Sequence, residues 1–90
     1  MEVWQPDKEE LIRVVAWFDP RKPLNQRIVG LKFIWHGREH LIKELDYYHH
    51  THEGEDLIHH FSLADKGAHF KLGFKSTGLV WAVEGIYVAD

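Results

Sequence analysis

The sequence predicts an all-β protein, a five- or six-stranded antiparallel meander that forms a small SH3-like or partly open barrel. Two observations predict this class. Hydrophobic and polar residues alternate at every second position through most of the chain, which is the period of a strand with one buried face. Pairs such as His36-Gly37 and Thr77-Gly78 separate the alternating segments, and a polar residue followed by glycine is typical of tight turns.

Composition limits the organisation of the chain and its partners. Ninety residues with 44% hydrophobic side chains suit a single small β domain, residues 1–90, with one modest core. The chain has no cysteine and no apolar run long enough for a membrane span, so we expect a cytoplasmic protein without disulfides and without membrane contact. The formal net charge of -3 makes nucleic acid an unlikely partner.

The core strands are predicted from the alternating segments. Their apolar members share one face of each strand, because successive side chains of a strand point to opposite faces. Turns at Lys66-Gly67 and Glu53-Gly54 complete the series of hairpins. The inward sets are Phe33 and Trp35; Phe61 and Leu63; Phe70, Leu72 and Phe74; and Leu79, Trp81 and Val83.

Residues 7–18 fit two structures. Asp7 followed by Glu10 is typical of a helix start, and several apolar residues after it have helical spacing. The segment is also rich in β-branched and aromatic residues, and Ile12, Val14 and Phe18 fit alternation equally well. A strand is favoured, and the helix stays open as the alternative.

The segment Leu41 to Tyr48 changes phase in its middle. Ile42 fits one face of a strand, whereas Leu45 and Tyr47 fit the other. A β-bulge near Lys43 and Glu44 would produce such a change. We therefore expect one long, bent strand here.

One hairpin resembles a known pattern. Phe33, Trp35, Gly37 and Arg38, with His40 two places on, are similar to the F-x-W-x-G-R-x-Y hairpin of small uncharacterised bacterial β-barrel domains. His40 stands where that pattern has tyrosine. Independently of the resemblance, a two-residue turn at His36-Gly37 would pair Phe33 with His40 and point His40 inward. We expect a partly buried histidine that hydrogen-bonds a neighbour, with a ligand role as the alternative. The resemblance implies a β-barrel fold, and it implies no catalytic residues because those domains have no assigned activity.

The histidines are the most unusual feature of the sequence. Eight are present, and five flank the predicted turn at Glu53-Gly54. If Leu45 pairs with Leu63 and Tyr47 with Phe61, His49 lies opposite His59 on one face of the hairpin. Neutral imidazoles bind zinc and other transition metals, so a metal-binding domain is the alternative function, while a solvated hairpin tip is the simpler interpretation. The five candidate ligands are His49, His50, His52, His59 and His60.

Catalysis and resident cofactors are not expected. Ser62 and Ser76 lack the surroundings of a nucleophile, and no glycine-rich loop opens a helix for phosphate binding. The sequence instead predicts a non-enzymatic binding or accessory domain that contacts a protein partner. Aromatic residues outside the inward phases are the candidate contacts, namely Trp17, Tyr48 and Tyr87, although such residues could also cap the open ends of the barrel.

Overall fold

The chain folds into one antiparallel sheet. A computed structural model describes residues 2–4, 10–43, 45–65 and 67–88, and about three quarters of these lie in strands. A single short 3-10 turn, Leu24–Gln26, interrupts the strands, and no helix in these ranges is long and apolar enough to cross a membrane. The strands are β1 (Glu2–Trp4), β2 (Glu10–Phe18), β3 (Ile28–Trp35), β4 (Arg38–Ile42), β5 (Leu45–Glu53), β6 (Asp56–Asp65), β7 (Ala68–Lys75) and β8 (Val80–Val88).

The strand order confirms the all-β class and corrects its detail. The sheet runs β4-β3-β2-β8-β7-β6-β5 and is curled into a half-barrel, with the short β1 paired to β8. Seven strands therefore form the sheet path, rather than the five or six predicted. Two meanders, β2 to β4 and β5 to β8, meet where β2 pairs with β8, so the predicted single meander is wrong.

The predicted number of strands was too low because of the segment between Leu41 and Tyr48. The predicted bent strand is two strands: β4 ends at Ile42 on one edge of the sheet, and β5 begins at Leu45 on the other. Three peptide links span at most about 11 Å, so the two edges must approach each other at this corner. The phase change therefore marks a change of edge, which curls the sheet.

The N-terminal segment forms a strand from Glu10 onward. Its even-numbered side chains Ile12, Val14 and Ala16 are half-buried while their neighbours are exposed, which is the burial pattern of a sheet with one covered face. The helix alternative is therefore wrong for residues 10–18. Residues 7–9 lie outside the described residues.

The core lies on the concave face of the half-barrel. Leu31, Phe33, Leu63, Leu72 and Val83 are fully enclosed. Trp35 and Trp81, which we expected inside, pack against this cluster but remain partly exposed. Leu79 does not join its expected inward set, because it lies in the turn before β8 with a φ of 55° and is exposed.

The β3–β4 hairpin has its predicted register. His36 and Gly37 have φ values of 48° and 77°, as a two-residue type I′ turn requires. Phe33 accordingly pairs with His40, and the two rings stack with centroids 4.9 Å apart. His40 is therefore placed on the concave face, in the core.

Two leucines on neighbouring strands test the assignment of the faces. Leu31 is 0% exposed, whereas Leu41 is 53% exposed on the convex face. Replacing a buried leucine by alanine removes apolar contacts and leaves a cavity. We expect Leu31→Ala to lower the free energy of unfolding by about 2–5 kcal/mol and Leu41→Ala by about 0.5 kcal/mol, as measured by urea denaturation. Equal losses would contradict the assignment.

Candidate functional site

The histidine hairpin, β5 and β6, differs from its predicted register by one residue. Leu45 pairs with Leu63 as expected, but an irregularity between Leu45 and Tyr47 shifts the later pairs, so Tyr48 rather than Tyr47 lies opposite Phe61. The extra residue of a β-bulge has this effect. The turn accordingly lies at Gly54-Glu55, one residue later than predicted.

This register divides the histidines between the two faces of the sheet. His50 pairs with His59 on the concave face, and His49 pairs with His60 on the convex face, so the predicted opposition of His49 to His59 is wrong. The rings of His49 and His60 stack with centroids 4.6 Å apart. His52 is exposed near the turn. Within the described ranges, no three His, Asp or Glu side chains are grouped so as to hold a metal ion.

A tyrosine–histidine pair lies on the concave face of the hairpin. The Tyr48 hydroxyl is 2.6 Å from Nδ1 of His59. Burial raises the pKa of Tyr48, and burial together with the charges of His50 and His60 lowers the pKa of His59. The short contact between hydroxyl and ring nitrogen therefore links β5 to β6 inside the half-barrel.

A cavity of about 160 Å³ adjoins this pair. Its wall is mainly aromatic, and two apolar side chains stand at its rim, where Phe18 is 58% and Leu24 is 50% exposed. Arg27 also lines it, and its guanidinium donates from Nε and Nη2 to the carbonyl oxygen of Lys22 at 3.2 and 3.1 Å. We call this space the inner cavity; its other lining residues are Ile28, Tyr48, His59, Phe61, Phe74 and Trp81.

A hydrogen-bonded chain crosses the convex face. Nδ1–H of His60 donates to Oε1 of Glu84 at 2.7 Å, and the Thr51 hydroxyl lies 2.7 Å from Nε2 of the same ring. Hydroxyl, imidazole and carboxylate stand here in the order of a catalytic triad. The depression beside Glu84 and Gly73 has a volume of only about 10 Å³. The three hydrogen-bonded side chains link β5, β6 and β8.

The convex face of β2, β3 and β4 carries five large, exposed apolar side chains. Residues paired across an antiparallel sheet share a face, and the pairs Val15–Lys32–Leu41 and Arg13–Ile34 place their side chains together. We call this surface the outer apolar face. Its apolar members are 49–63% exposed and comprise Leu11, Val15, Trp17, Ile34 and Leu41.

The three aromatic residues predicted as partner contacts lie in different places. Trp17 belongs to the outer apolar face, and its indole lies 3.3 Å from the position that a Cβ on Gly30 would take. Tyr48 points into the half-barrel and packs against the core. Tyr87 is half-buried, with the Lys71 ammonium 4.8 Å from its ring centroid. Only Trp17 therefore offers a broad exposed aromatic surface.

Sequence reasoning missed most of the outer apolar face. The alternation assigned the even-numbered residues of β2 to the core. The odd-numbered residues Leu11, Val15 and Trp17, which lie on the other face, are also apolar, and this was not used in the prediction. A strand with apolar residues in both phases is covered on both faces or carries a binding surface. The presence of apolar residues at both odd and even positions of β2 was therefore the signal in the sequence for the outer apolar face.

His40 occupies the opposite end of the half-barrel from the inner cavity. Its Nδ1–H donates to Oδ2 of Asp65 at 2.8 Å, and its ring packs on Phe33 and Phe70. The bond joins edge strand β4 to β6 across the concave side. His40 is thus the buried, hydrogen-bonded histidine that the hairpin predicted.

Comparisons with protein-family models, with curated proteins and with solved structures found no match. The resemblance of the Phe33–His40 hairpin to small bacterial β-barrel domains stays a prediction.

The pKa of His59 predicts how stability depends on pH. Because its pKa in the folded protein lies below the ordinary value of about 6.5, the unfolded chain takes up a proton that the folded chain resists. Its contribution to stability is complete above about pH 6.5 and declines as the pH falls through that value. Urea denaturation between pH 7.5 and 5 should show a shallower decline for His59→Gln than for wild type. Parallel profiles would contradict this assignment.

Gly73 tests the hydrogen-bonded chain. A Cβ at this position would stand 2.9 Å from the Glu84 carboxylate, so Gly73→Ala should push that carboxylate away from His60. We expect a loss of about 1 kcal/mol in the free energy of unfolding, similar to that of Glu84→Gln. Because both changes remove the same bond, the double variant should lose little more than either single variant. Fully additive losses in urea denaturation would show that Gly73 acts independently.

Proposed function

We propose that this chain is a non-enzymatic protein-binding domain and that its partner docks on the outer apolar face. One observation carries the proposal: five large apolar side chains, each 49–63% exposed, share one face of three adjacent strands. Single exposed apolar residues are common on proteins, but contiguous groups of them mark interaction sites.

The arrangement favours a continuous, rigid interface. Side chains on paired positions of neighbouring strands have Cβ atoms about 4.5–5.5 Å apart, so Val15, Lys32 and Leu41 form a continuous row. Trp17 lies against Gly30 at one end of the face, and tryptophan is enriched among the residues that dominate binding energy. A sheet held by ladder hydrogen bonds loses little backbone entropy on binding.

Charge on the face indicates the chemistry of the partner. Arg13 and Lys32 lie among its apolar side chains, and Glu39 pairs with Ile34 at the edge. A two-fold dimer centred here would bring the basic residues of two copies close together, at an electrostatic cost. The expected partner is therefore a different protein whose surface combines apolar side chains, which match those of this face, with acidic residues, which match its basic residues.

Other functions have less support. Metal binding would need three ligands together, but the hairpin histidines are divided between two faces. The triad-like chain at His60 has no adjoining substrate cavity. We therefore retain the protein-binding function as the one best supported.

The experiment combines capture with mapping. Proteins retained from a lysate by immobilised wild-type domain are compared with those retained by Val15→Glu and Ile34→Glu, and the protein that both variants lose is purified. Titrated into the ¹⁵N-labelled domain, it should shift amide signals on the outer apolar face. Each variant should weaken its binding by about tenfold or more, because glutamate removes apolar contact and repels acidic groups.

Leu79→Glu is the matched control, since Leu79 is exposed and apolar but lies in a turn away from the face. It should bind the partner as wild type does. Light scattering should show that the isolated domain is a monomer. The proposal is overturned if the variants lose no partner, if the shifts map elsewhere, or if a dimer forms that Val15→Glu dissociates.

A further inference from the structure

The inner cavity is a second candidate site, and it lies on the opposite side of the sheet from the outer apolar face. Side chains of Phe61, Phe74 and Trp81 form much of its wall, and their rings contact one another with centroids 4.8–5.4 Å apart. Apolar, concave spaces with a few polar groups are the usual form of small-molecule sites. The cavity therefore has the character of a binding pocket.

The volume of the inner cavity suits a ligand with a single ring. Cavities of about 150 Å³ lined by apolar side chains accommodate benzene, and the inner cavity measures about 160 Å³. Aromatic walls favour a flat aromatic guest, because edge-to-face and offset contacts add to the gain from burial. Exposed Phe18 and Leu24 at the rim would be covered by the guest.

Arg27 and His59 are the lining residues of the cavity whose side chains can be positively charged. The guanidinium of Arg27 is held in place by its two bonds to the carbonyl of Lys22, which leaves N–H groups for another acceptor. No carboxylate among the described residues pairs with this guanidinium. His59 also lines the cavity, and Nδ1 of its ring lies 2.6 Å from the Tyr48 hydroxyl. A fixed cation beside an imidazole favours an anionic acceptor.

We propose that the inner cavity binds a small aromatic carboxylate, with the ring against Phe74 and Trp81 and the carboxylate at Arg27. The β-bulge between Trp17 and Phe18 supports the site, because it turns Ile28 rather than Val29 toward the cavity. This site gives the domain a small-molecule ligand in addition to a protein partner. It does not depend on the proposed function.

Sodium benzoate is the probe, titrated into the ¹⁵N-labelled full chain at constant ionic strength. We expect saturable shifts of the amides of Phe18, Arg27 and Phe74 and of the Trp81 indole. Acetate, which lacks the ring, should cause none of these shifts at the same concentration. Benzyl alcohol, which lacks the charge, should bind more weakly than benzoate.

Arg27→Gln separates the two parts of the ligand. It should weaken benzoate binding by about tenfold and change benzyl alcohol binding by less than about twofold, because only the charge-assisted bond is lost. Leu24→Trp, a change at the exposed rim, should weaken both ligands by filling the mouth. Arg13→Gln is the matched control: it removes the same charge from the opposite face and should leave both affinities unchanged.

Each other outcome overturns the proposal. Absence of saturable shifts with millimolar benzoate would mean that the cavity is only a packing gap. Shifts spread over the outer apolar face would show non-specific contact. If Arg27→Gln and Arg13→Gln weakened benzoate binding equally, the binding would reflect only a general attraction between opposite charges. If benzoate and benzyl alcohol bound equally well, the carboxylate would not be recognised.

Discussion

The structure depends on the curl of a single sheet. Because β4 ends at Ile42 and β5 starts at Leu45, the chain passes from one edge of the sheet to the other in three peptide links. A flat sheet of seven strands at about 4.8 Å spacing would separate those edges by roughly 29 Å, far more than three links can span. The sheet must therefore bend, and the bend encloses the core. The bond between His40 and Asp65 joins the first meander to the second on the same side.

The histidine content has a structural explanation in this fold. His36 contacts Glu10 at 2.7 Å, His40 contacts Asp65, His59 contacts Tyr48, and His60 contacts Glu84. The bonds of His36, His40 and His60 join elements that are distant along the chain, whereas the bond of His59 joins the consecutive strands β5 and β6. Imidazole suits this use because it offers a donor and an acceptor on opposite sides of a small ring and loses little free energy when half-buried as a neutral group. These four of the eight histidines therefore act as side-chain links within the sheet.

Small irregularities in the ladders set the positions of both candidate sites. Register shifts occur between Trp17 and Phe18 and between Leu45 and Tyr47. A third shift, between Lys71 and Leu72, lies beside Glu84, whose carboxylate reaches over Gly73 to His60. A one-residue shift exchanges the faces of all later side chains, so each bulge decides which groups enter the half-barrel. The first turns Ile28 to the inner cavity. The second brings Tyr48 beside His59.

The sequence by itself determined the all-β class, the β3–β4 hairpin with an inward His40, and most of the core, because alternation and turn glycines act through local geometry. Tertiary structure decided the strand count, the edge change after Ile42 and the register of the histidine hairpin. These features depend on pairings between distant strands, such as β2 with β8, which no local pattern encodes. For the same reason, neither candidate site could be predicted from the sequence. Val15 and Ile34 share a surface, and Arg27 and His59 share a cavity, only once the strands are paired and the sheet is curled.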